Sequence, residues 1–175
     1  VSGERMENRE AADSLAKICR KEGSARVTKI TQAEKSERPP ALYDLTSLQR
    51  EANRILGYTA QQTLDYTQAL YEKKLVTYPR TDSRYLTEDM AETLLGLVTA
   101  AATACFSDVA TVSVNAGQVI NNKKVTDHHA IISTKELQKG TLSELPKGEA
   151  EVLRLIVQRL LTAVSEPCKT AETTA

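Results

Sequence analysis

The sequence predicts a mainly α-helical fold with a small antiparallel β portion. Over most of the chain, apolar residues recur at the three- and four-residue spacing of helices, and residues typical of helix ends border these stretches. Strand-like sequence is found towards the two ends of the chain. With 175 residues, of which 41% are hydrophobic and 26% charged, the chain can form a packed core.

A helix and a strand are predicted near the start of the chain. Glu7–Arg20 has apolar residues at helical spacing, and Gly23 is suited to end this helix because glycine readily adopts left-handed backbone. Alternation over Ala25–Ala33 predicts a short strand, whereas the charged, proline-containing stretch Glu34–Pro40 predicts a loop.

Two helices joined by a tight turn are predicted next. The first covers Thr46–Leu56 and ends at Gly57. Thr59 and Gln62 have the spacing of a capping box, which predicts that a second helix begins there and continues to Tyr71. Together the two helices resemble half of a helix-turn-helix.

Two longer helices are predicted in the rest of the chain. Thr87 is suited to cap the first, and Pro146 opens the second, which ends before Pro167. The apolar face of the first comprises Leu94, Leu95 and Val98, and that of the second Val152, Leu155, Ile156 and Leu160.

The segment between these helices, Phe106–Ile132, is less regular. A polar turn is predicted at Asn121–Lys124. The residues that suggest a strand are Val109, Val112 and Val114. The final stretch, Pro167–Ala175, is strand-like, and we expect it to pair with the strand near the start, since chain ends that meet suit an inserted domain.

Composition excludes several classes of protein. The 23 basic residues balance 23 acidic ones, so the chain lacks the overall basic field that drives non-specific nucleic-acid binding. No apolar run approaches the roughly 20 residues of a membrane span, and no signal-peptide pattern opens the chain, which predicts a cytoplasmic location without a membrane. The three cysteines lack the spacing of a zinc site or a disulfide framework. Val1 in place of an initiator methionine suggests a piece of a longer protein.

The chemically informative segment is Leu75–Leu86, with the sequence LVTYPRTDSRYL. Pro79 favours extended backbone at Tyr78, just beyond a helix. A phenol with a pKa of about 10 needs a nearby cation to act as a nucleophile, and Arg80 is two residues away. Residue types alone favour a simpler interpretation, a half-buried structural tyrosine beside a solvated charged loop.

This segment resembles the active-site signature of type IA topoisomerases, in which a tyrosine is followed by one residue and then Arg-Thr-Asp. Pro79 after the tyrosine and Arg84-Tyr85-Leu86 after the serine resemble the topoisomerase III branch. Flanking segments that also resemble the family are Pro39–Gln49, Gln68–Glu72 and Asp127–Thr134. Two departures are Ser83, where cysteine is frequent, and Ser133, where proline is common. Neither removes a group that the chemistry needs.

The resemblance implies an enzyme that cuts and reseals one DNA strand. Tyr78 would attack a phosphodiester in single-stranded DNA, become joined to the 5′ phosphate and release a 3′ hydroxyl, without ATP. Arg80 would stabilise the transition state through parallel hydrogen bonds to the phosphate. His128 matches the family histidine near the tyrosine and the phosphate, where an imidazole can donate to the DNA backbone or tune local protonation.

Five further residues are expected to contact DNA or to shape its binding loop: Gln68, Thr81, Asp82, Arg84 and His129. Thr81 and Asp82 are of the short polar type that bonds back to nearby amides in turns. For Gln68 and His129, an exposed helix residue and a structural histidine remain open as alternatives.

The resemblance also implies a domain layout and a cofactor. Residues 1–45 would be the leading segment of an arch domain, 46–165 the helical domain with the active-site tyrosine, and 166–175 the returning arch strand. Magnesium would be held by carboxylates of a separate amino-terminal domain, so the fragment needs no cofactor of its own and is expected to be inactive alone. Its partners would be single-stranded DNA and the remaining domains of the same enzyme, near the nucleoid.

Two other classes of function stay open at this point. The paired helices could be a DNA-binding helix-turn-helix without chemistry, but the second helix has only Lys73 and Lys74 at its end against Asp65 and Glu72. The chain could also be an interaction scaffold.

Overall fold

The structure is a computed structural model that describes residues 6, 8–24, 26–106 and 113–174. Its helices and strands, in chain order, are α1 (Arg9–Glu22), β1 (Thr31–Glu37), α2 (Leu45–Leu56), α3 (Ala60–Glu72), α4 (Ala91–Cys105), α5 (Thr141–Glu144), α6 (Lys147–Ala163) and β2 (Cys168–Thr174). The predicted fold class is confirmed, since about 52% of the described residues are helical when the 3₁₀ turns are included, and the strands form a small antiparallel sheet. The chain divides into two compact units, 1–35 with 169–175, and 36–168.

The smaller unit contains α1 and most of the two-stranded sheet. The helix begins at Asn8, whose side-chain oxygen accepts a hydrogen bond from the amide of Glu10 (2.8 Å). It ends at Gly23, which has the predicted left-handed backbone (φ 63°). β1 pairs with β2, so the strand-like sequences at the two ends meet as predicted.

The first strand lies further along the chain than the alternation indicated. It occupies Thr31–Glu37 rather than Ala25–Ala33, and therefore includes part of the predicted loop Glu34–Pro40. Both strands are exposed along their whole length. Because no face is buried, hydrophobic alternation does not determine which residues pair. An ion pair between Lys35 and Glu172 joins the two strands instead.

Capping boxes begin α2 and α3 in the larger unit. Asp44 accepts a hydrogen bond from the amide of Ser47 (2.6 Å) and starts α2, which ends at Gly57 with left-handed backbone (φ 73°). The predicted box at Thr59 and Gln62 is confirmed, with both reciprocal hydrogen bonds present. The turn between the two helices is therefore set by local sequence.

The core of the larger unit is built around α6, which packs against α2, α3 and α4. As predicted, Pro146 precedes this helix. Its buried residues are Glu149, Val152, Leu153, Leu155, Ile156, Val157, Leu160 and Ala163. The buried carboxylate of Glu149 pairs with Lys73 (2.5 Å), immediately after α3. This pair ties the end of α3 to the central helix.

The start of α4 differs from the prediction. Thr87 makes no side-chain capping bond, and a 3₁₀ turn, Glu88–Met90, leads into the helix. Leu94 and Val98 are buried as predicted, but Leu95 is 56% exposed. The apolar face of α4 is therefore narrower than the sequence indicated.

The segment after α4 is only partly described. Val109 and Val112, which suggested a strand, lie outside the described residues, and Val114 lies in no strand. The predicted polar turn contains a 3₁₀ turn, Asn122–Lys124. Among the described residues, no helix is both long and apolar enough to cross a membrane.

Candidate active site

Two distant parts of the chain pair to form the scaffold of the candidate site. Leu75–Thr77 runs antiparallel to Ile132–Thr134, and the amide of Thr77 donates to the carbonyl of Ile132 (2.9 Å). We call Leu75–Thr77 the first arm and Ile132–Thr134 the second arm. Tyr78 directly follows the first arm, so the pairing brings it towards the residues that precede Ile132 in the chain.

The side chain of Thr77 strengthens this pairing. Its hydroxyl donates to the carbonyl of Ala130 (2.9 Å) and accepts from the amide of Ile132 (3.0 Å). Sequence reasoning gave Thr77 no role, because both partners lie more than fifty positions away. Its only signal in the sequence is its place immediately before Tyr78.

Ser133 lies opposite Val76 in the same pairing. The hydrogen bonds of the pairing flank these two residues, so the pairing itself does not use the amide of Ser133. That explains why the position is compatible with proline, which lacks this donor. The hydroxyl of Ser133 is buried and has no hydrogen-bond partner among the described residues.

Tyr78 is half-buried between two other rings. The imidazole of His128 lies with its centroid 4.3 Å from that of Tyr78, at an interplanar angle of 40°. The ring of Tyr71, at the end of α3, packs edge-on against that of Tyr78, with centroids 5.5 Å apart and an interplanar angle of 79°. The structure thus brings together two of the predicted catalytic residues, and it adds Tyr71, which the sequence pattern placed only in a helix stripe.

Arg80 has the setting expected of a ligand-binding cation. Its neighbour Pro79 is buried, whereas Arg80 is exposed. Within the described parts of the chain, the guanidinium has no ion pair and no hydrogen bond. All five of its N–H donors are available to an anion.

Thr81 connects the tyrosine loop to the histidine loop. The buried hydroxyl of Thr81 donates to the carbonyl of His128 (2.9 Å) and accepts from the amide of Ser83 (3.1 Å). Ser83 in turn donates to the carbonyl of Lys124 (2.9 Å). These bonds fit the expected loop-shaping role of Thr81 and hold the backbone at His128.

The other predicted residues lie around this centre in different settings. Asp82 is exposed and accepts a hydrogen bond from the hydroxyl of Thr126 (2.9 Å). Arg84 is half-buried, and its Nε donates to a backbone carbonyl, that of Leu42 (3.1 Å). Part of the Arg84 guanidinium is therefore used inside the protein.

Gln68 and His129 are also half-buried. Gln68 lies on α3 and donates to the carboxylate of Glu72 on the same helix (3.1 Å). In His129, Nδ1 lies 2.9 Å from the carbonyl oxygen of Ala130. Within the described residues, neither the His129 ring nor the Gln68 amide makes an aromatic contact or a hydrogen bond with Tyr78.

The described residues do not supply a metal site. They contain no group of three or more His, Cys, Asp or Glu side chains that could hold a metal ion. A divalent cation is held by several oxygen ligands, which usually include carboxylates. The described residues around Tyr78 therefore contain no preformed cluster of protein ligands for magnesium.

Comparison with known proteins identifies the family of the chain. The family model described as DNA topoisomerase matches residues 1–175. The chain belongs to the type IA DNA topoisomerase family.

Several curated relatives are named DNA topoisomerase 3, in agreement with the predicted branch. The protein from Shouchella clausii is 45% identical over 136 residues, which are 74% of this chain and 18% of the relative. That from Staphylococcus saprophyticus is 37% identical over 150 residues, 82% of this chain and 21% of the relative. The protein from Staphylococcus aureus is 34% identical over 172 residues, which are 95% of this chain and 24% of the relative. The chain thus spans about a fifth of the length of these relatives.

A solved structure shows the same fold. Full-length topoisomerase I from Thermotoga maritima matches 99% of this chain with a TM-score of 0.65, and the match covers 28% of that protein. Sequence identity is 22%. The likeness concerns the fold.

Proposed function

We propose that this chain supplies the nucleophile of a DNA topoisomerase that cuts and reseals one strand. The observation that carries the proposal is the contact between Tyr78 and His128, with the exposed Arg80 two residues further on, in a member of the type IA family. "Intact enzyme" below means this chain together with the remaining segments that its relatives possess.

The proposed reaction consists of two transesterifications. The phenolic oxygen of Tyr78 attacks a phosphorus atom of single-stranded DNA and loses its proton. A bond from phosphorus to the tyrosine forms, the bond from phosphorus to the 3′ oxygen breaks, and that oxygen leaves as a 3′ hydroxyl. After another strand has passed, the 3′ hydroxyl attacks the phosphotyrosine and restores the original bond. The link conserves the energy of the phosphodiester, so ATP is not needed.

Arg80 is proposed to stabilise the charge that develops on the phosphate. The exposed guanidinium has no partner among the described residues, so it loses no ion pair to them when it binds an anion. Its planar donors suit two parallel hydrogen bonds to phosphate oxygens. His128, held through its backbone by Thr81, is proposed to donate to the DNA backbone or to tune protonation beside Tyr78.

The DNA path is proposed to follow the residues around this centre. They are Gln68, Thr81, Asp82, Arg84 and His129. We propose that any magnesium is held by segments outside this chain, and no catalytic step here depends on it. The helix-turn-helix alternative is not favoured, because α3 contains no lysine or arginine.

The proposal is tested by trapping covalent adducts with the intact enzyme. A single-stranded oligonucleotide labelled at its 3′ end would report the protein-linked fragment directly. Tyr78→Phe should abolish the adduct and leave DNA binding largely unchanged, since only the nucleophilic oxygen is removed. Arg80→Ala should slow adduct formation by roughly 10²–10³-fold, as for other charge-stabilising donors. Arg154→Ala, an exposed arginine on α6, is the matched control. Adduct formation by the phenylalanine variant would disprove the role of Tyr78.

A further inference from the structure

The ring of Tyr71 makes a direct contact with the proposed nucleophile. Its edge-on packing against Tyr78, with centroids 5.5 Å apart at 79°, lies within the range of favourable aromatic pairs. His128 contacts the ring of Tyr78 as well, at 4.3 Å. The ring that bears the nucleophilic oxygen is thus held by two others.

The two contacting rings are carried by different kinds of backbone. Tyr71 lies in the last turn of α3, whose residues Thr67 and Leu70 are fully buried and which packs against α2 and α6. His128 is exposed and lies in a loop. Tyr78 itself lies on irregular backbone. Only the contact from Tyr71 ties the Tyr78 ring to a helix of the core, among the aromatic contacts of the described residues.

Core packing does not account for Tyr71. The side chain is 39% exposed, and its hydroxyl has no hydrogen bond in the part of the chain that the structure describes. Its removal should therefore cost little stability. The interaction that distinguishes it is the ring contact with Tyr78.

We infer that Tyr71 is a positioning residue that restricts the ring of Tyr78 and so presents the phenolic oxygen to the phosphate in one orientation. This inference rests on the proposed function. In-line attack needs an aligned nucleophile, and a misplacement of about 1 Å can slow a reaction by roughly 10²-fold. The contact uses the ring and not the hydroxyl, so phenylalanine should replace Tyr71 and alanine should not.

The test measures single-turnover adduct formation by the intact enzyme on a saturating single-stranded oligonucleotide labelled at its 3′ end. Tyr71→Ala should slow this step by about 10- to 100-fold, with the Kd for the oligonucleotide within about threefold of wild type. Tyr71→Phe should restore the rate to within about threefold. Leu95→Ala, which removes an exposed apolar side chain on α4, is the matched control and should react normally.

Several results would overturn the inference. A wild-type rate for Tyr71→Ala would do so, as would a loss confined to Kd, which would make Tyr71 a stacking platform for DNA bases. A phenylalanine variant as slow as the alanine variant would assign the effect to the hydroxyl. If Tyr71→Ala lowers the Tm strongly, Tyr71→Leu keeps the apolar volume, and it should fold yet still react slowly. Failure of the proposed function is distinguishable, because wild type would then form no adduct, or Tyr78→Phe would still form one.

Discussion

Three hydroxyl side chains shape the loop that carries the proposed nucleophile. Thr77, Thr81 and Ser83 each donate to a backbone carbonyl, at 2.9 Å in every case. Neutral side chains thus hold the loop in shape, while the charged Arg80 among them stays exposed. A cation that has no partner in the described part of the chain, on a backbone fixed by its neighbours, is suited to bind a phosphate with little reorganisation.

Whether these residues could be predicted from the sequence depends on how far along the chain their contacting residues lie. Tyr78 and Arg80 belong to one short motif and could be identified from it. Thr77 and Tyr71 could not, because their roles depend on the folded loop. The pairing that places His128 beside Tyr78 is equally invisible in local sequence, and only resemblance to a family indicated that histidine.

A residue-scale prediction concerns Tyr58, which joins the turn after α2 to α6. Its hydroxyl donates to the carboxylate of Glu151, and this hydrogen bond is the main reason that its pKa is raised to about 12. The folded state therefore holds the phenolic proton more tightly than the unfolded state, whose pKa is about 10. The resulting stabilisation should be complete below pH 10 and should be lost as the pH rises through 12.

The measurement is the free energy of unfolding of wild type and Tyr58→Phe between pH 8 and pH 12. The difference between the two should be constant at the lower end and should shrink above about pH 10. Glu151→Gln should remove the pH dependence of this difference. Parallel curves over the whole range would contradict the assignment.

At the scale of elements, the turn that ends α3 has an unusual backbone. Lys74 is the one non-glycine residue with positive φ (61°) among the described residues, and it leads the chain from α3 into the arm that ends at Tyr78. Its carbonyl accepts a hydrogen bond from the hydroxyl of Thr134 on the other arm. The strained position is thus held by the pairing that builds the site.

Lys74→Gly should therefore stabilise the protein. Left-handed backbone costs a residue with a side chain about 1–2 kcal/mol, and the greater freedom of glycine in the unfolded chain offsets about 0.5–1 kcal/mol of the gain. A net increase of about 0.5–1 kcal/mol is expected in urea unfolding. Gly57→Lys, the reverse change at a left-handed glycine with open space around it, should destabilise. Equal or lower stability of Lys74→Gly would show that the turn is not strained.

The helices were more predictable than the strands for a physical reason. Capping boxes and glycine ends are local signals, and those at Gly57, Thr59 and Gln62 were found as predicted. The position of β1 was predicted wrongly, since an exposed strand is not fixed by burial. Thr87 does not cap α4 as predicted, and a 3₁₀ turn precedes that helix instead.

At the scale of the whole molecule, strands from the first and last quarters of the chain, Thr31–Glu37 and Cys168–Thr174, pair in one small sheet. The chain spans about a fifth of its curated relatives and carries 23 basic against 23 acidic residues. We therefore expect the nucleophile to be present here with only a local basic spot around Arg80 and Arg84, and without most of the surface that holds DNA and neutralises its charge.

This chain alone should neither relax nor decatenate DNA, even with magnesium. The test incubates the purified chain with negatively supercoiled plasmid and magnesium, with and without the remaining segments of the enzyme as a separate polypeptide. Activity is expected only in the mixture, and Tyr78→Phe in the same mixture serves as the control. Topoisomers produced by the chain alone would show that it already contains a complete catalytic centre.

The pairing beneath Tyr78 also has a mechanical consequence under the proposed chemistry. Once a cut strand is attached to Tyr78, tension in the DNA would pull on the backbone there and so on both neighbours, Thr77 and Pro79. The amide and hydroxyl of Thr77 form three hydrogen bonds to Ala130 and Ile132. A pull on Thr77 would load these bonds and, further along the chain, the two that Thr134 donates to Leu75 and Lys74. Under the proposed chemistry, this pairing would anchor the broken end while the gap is open.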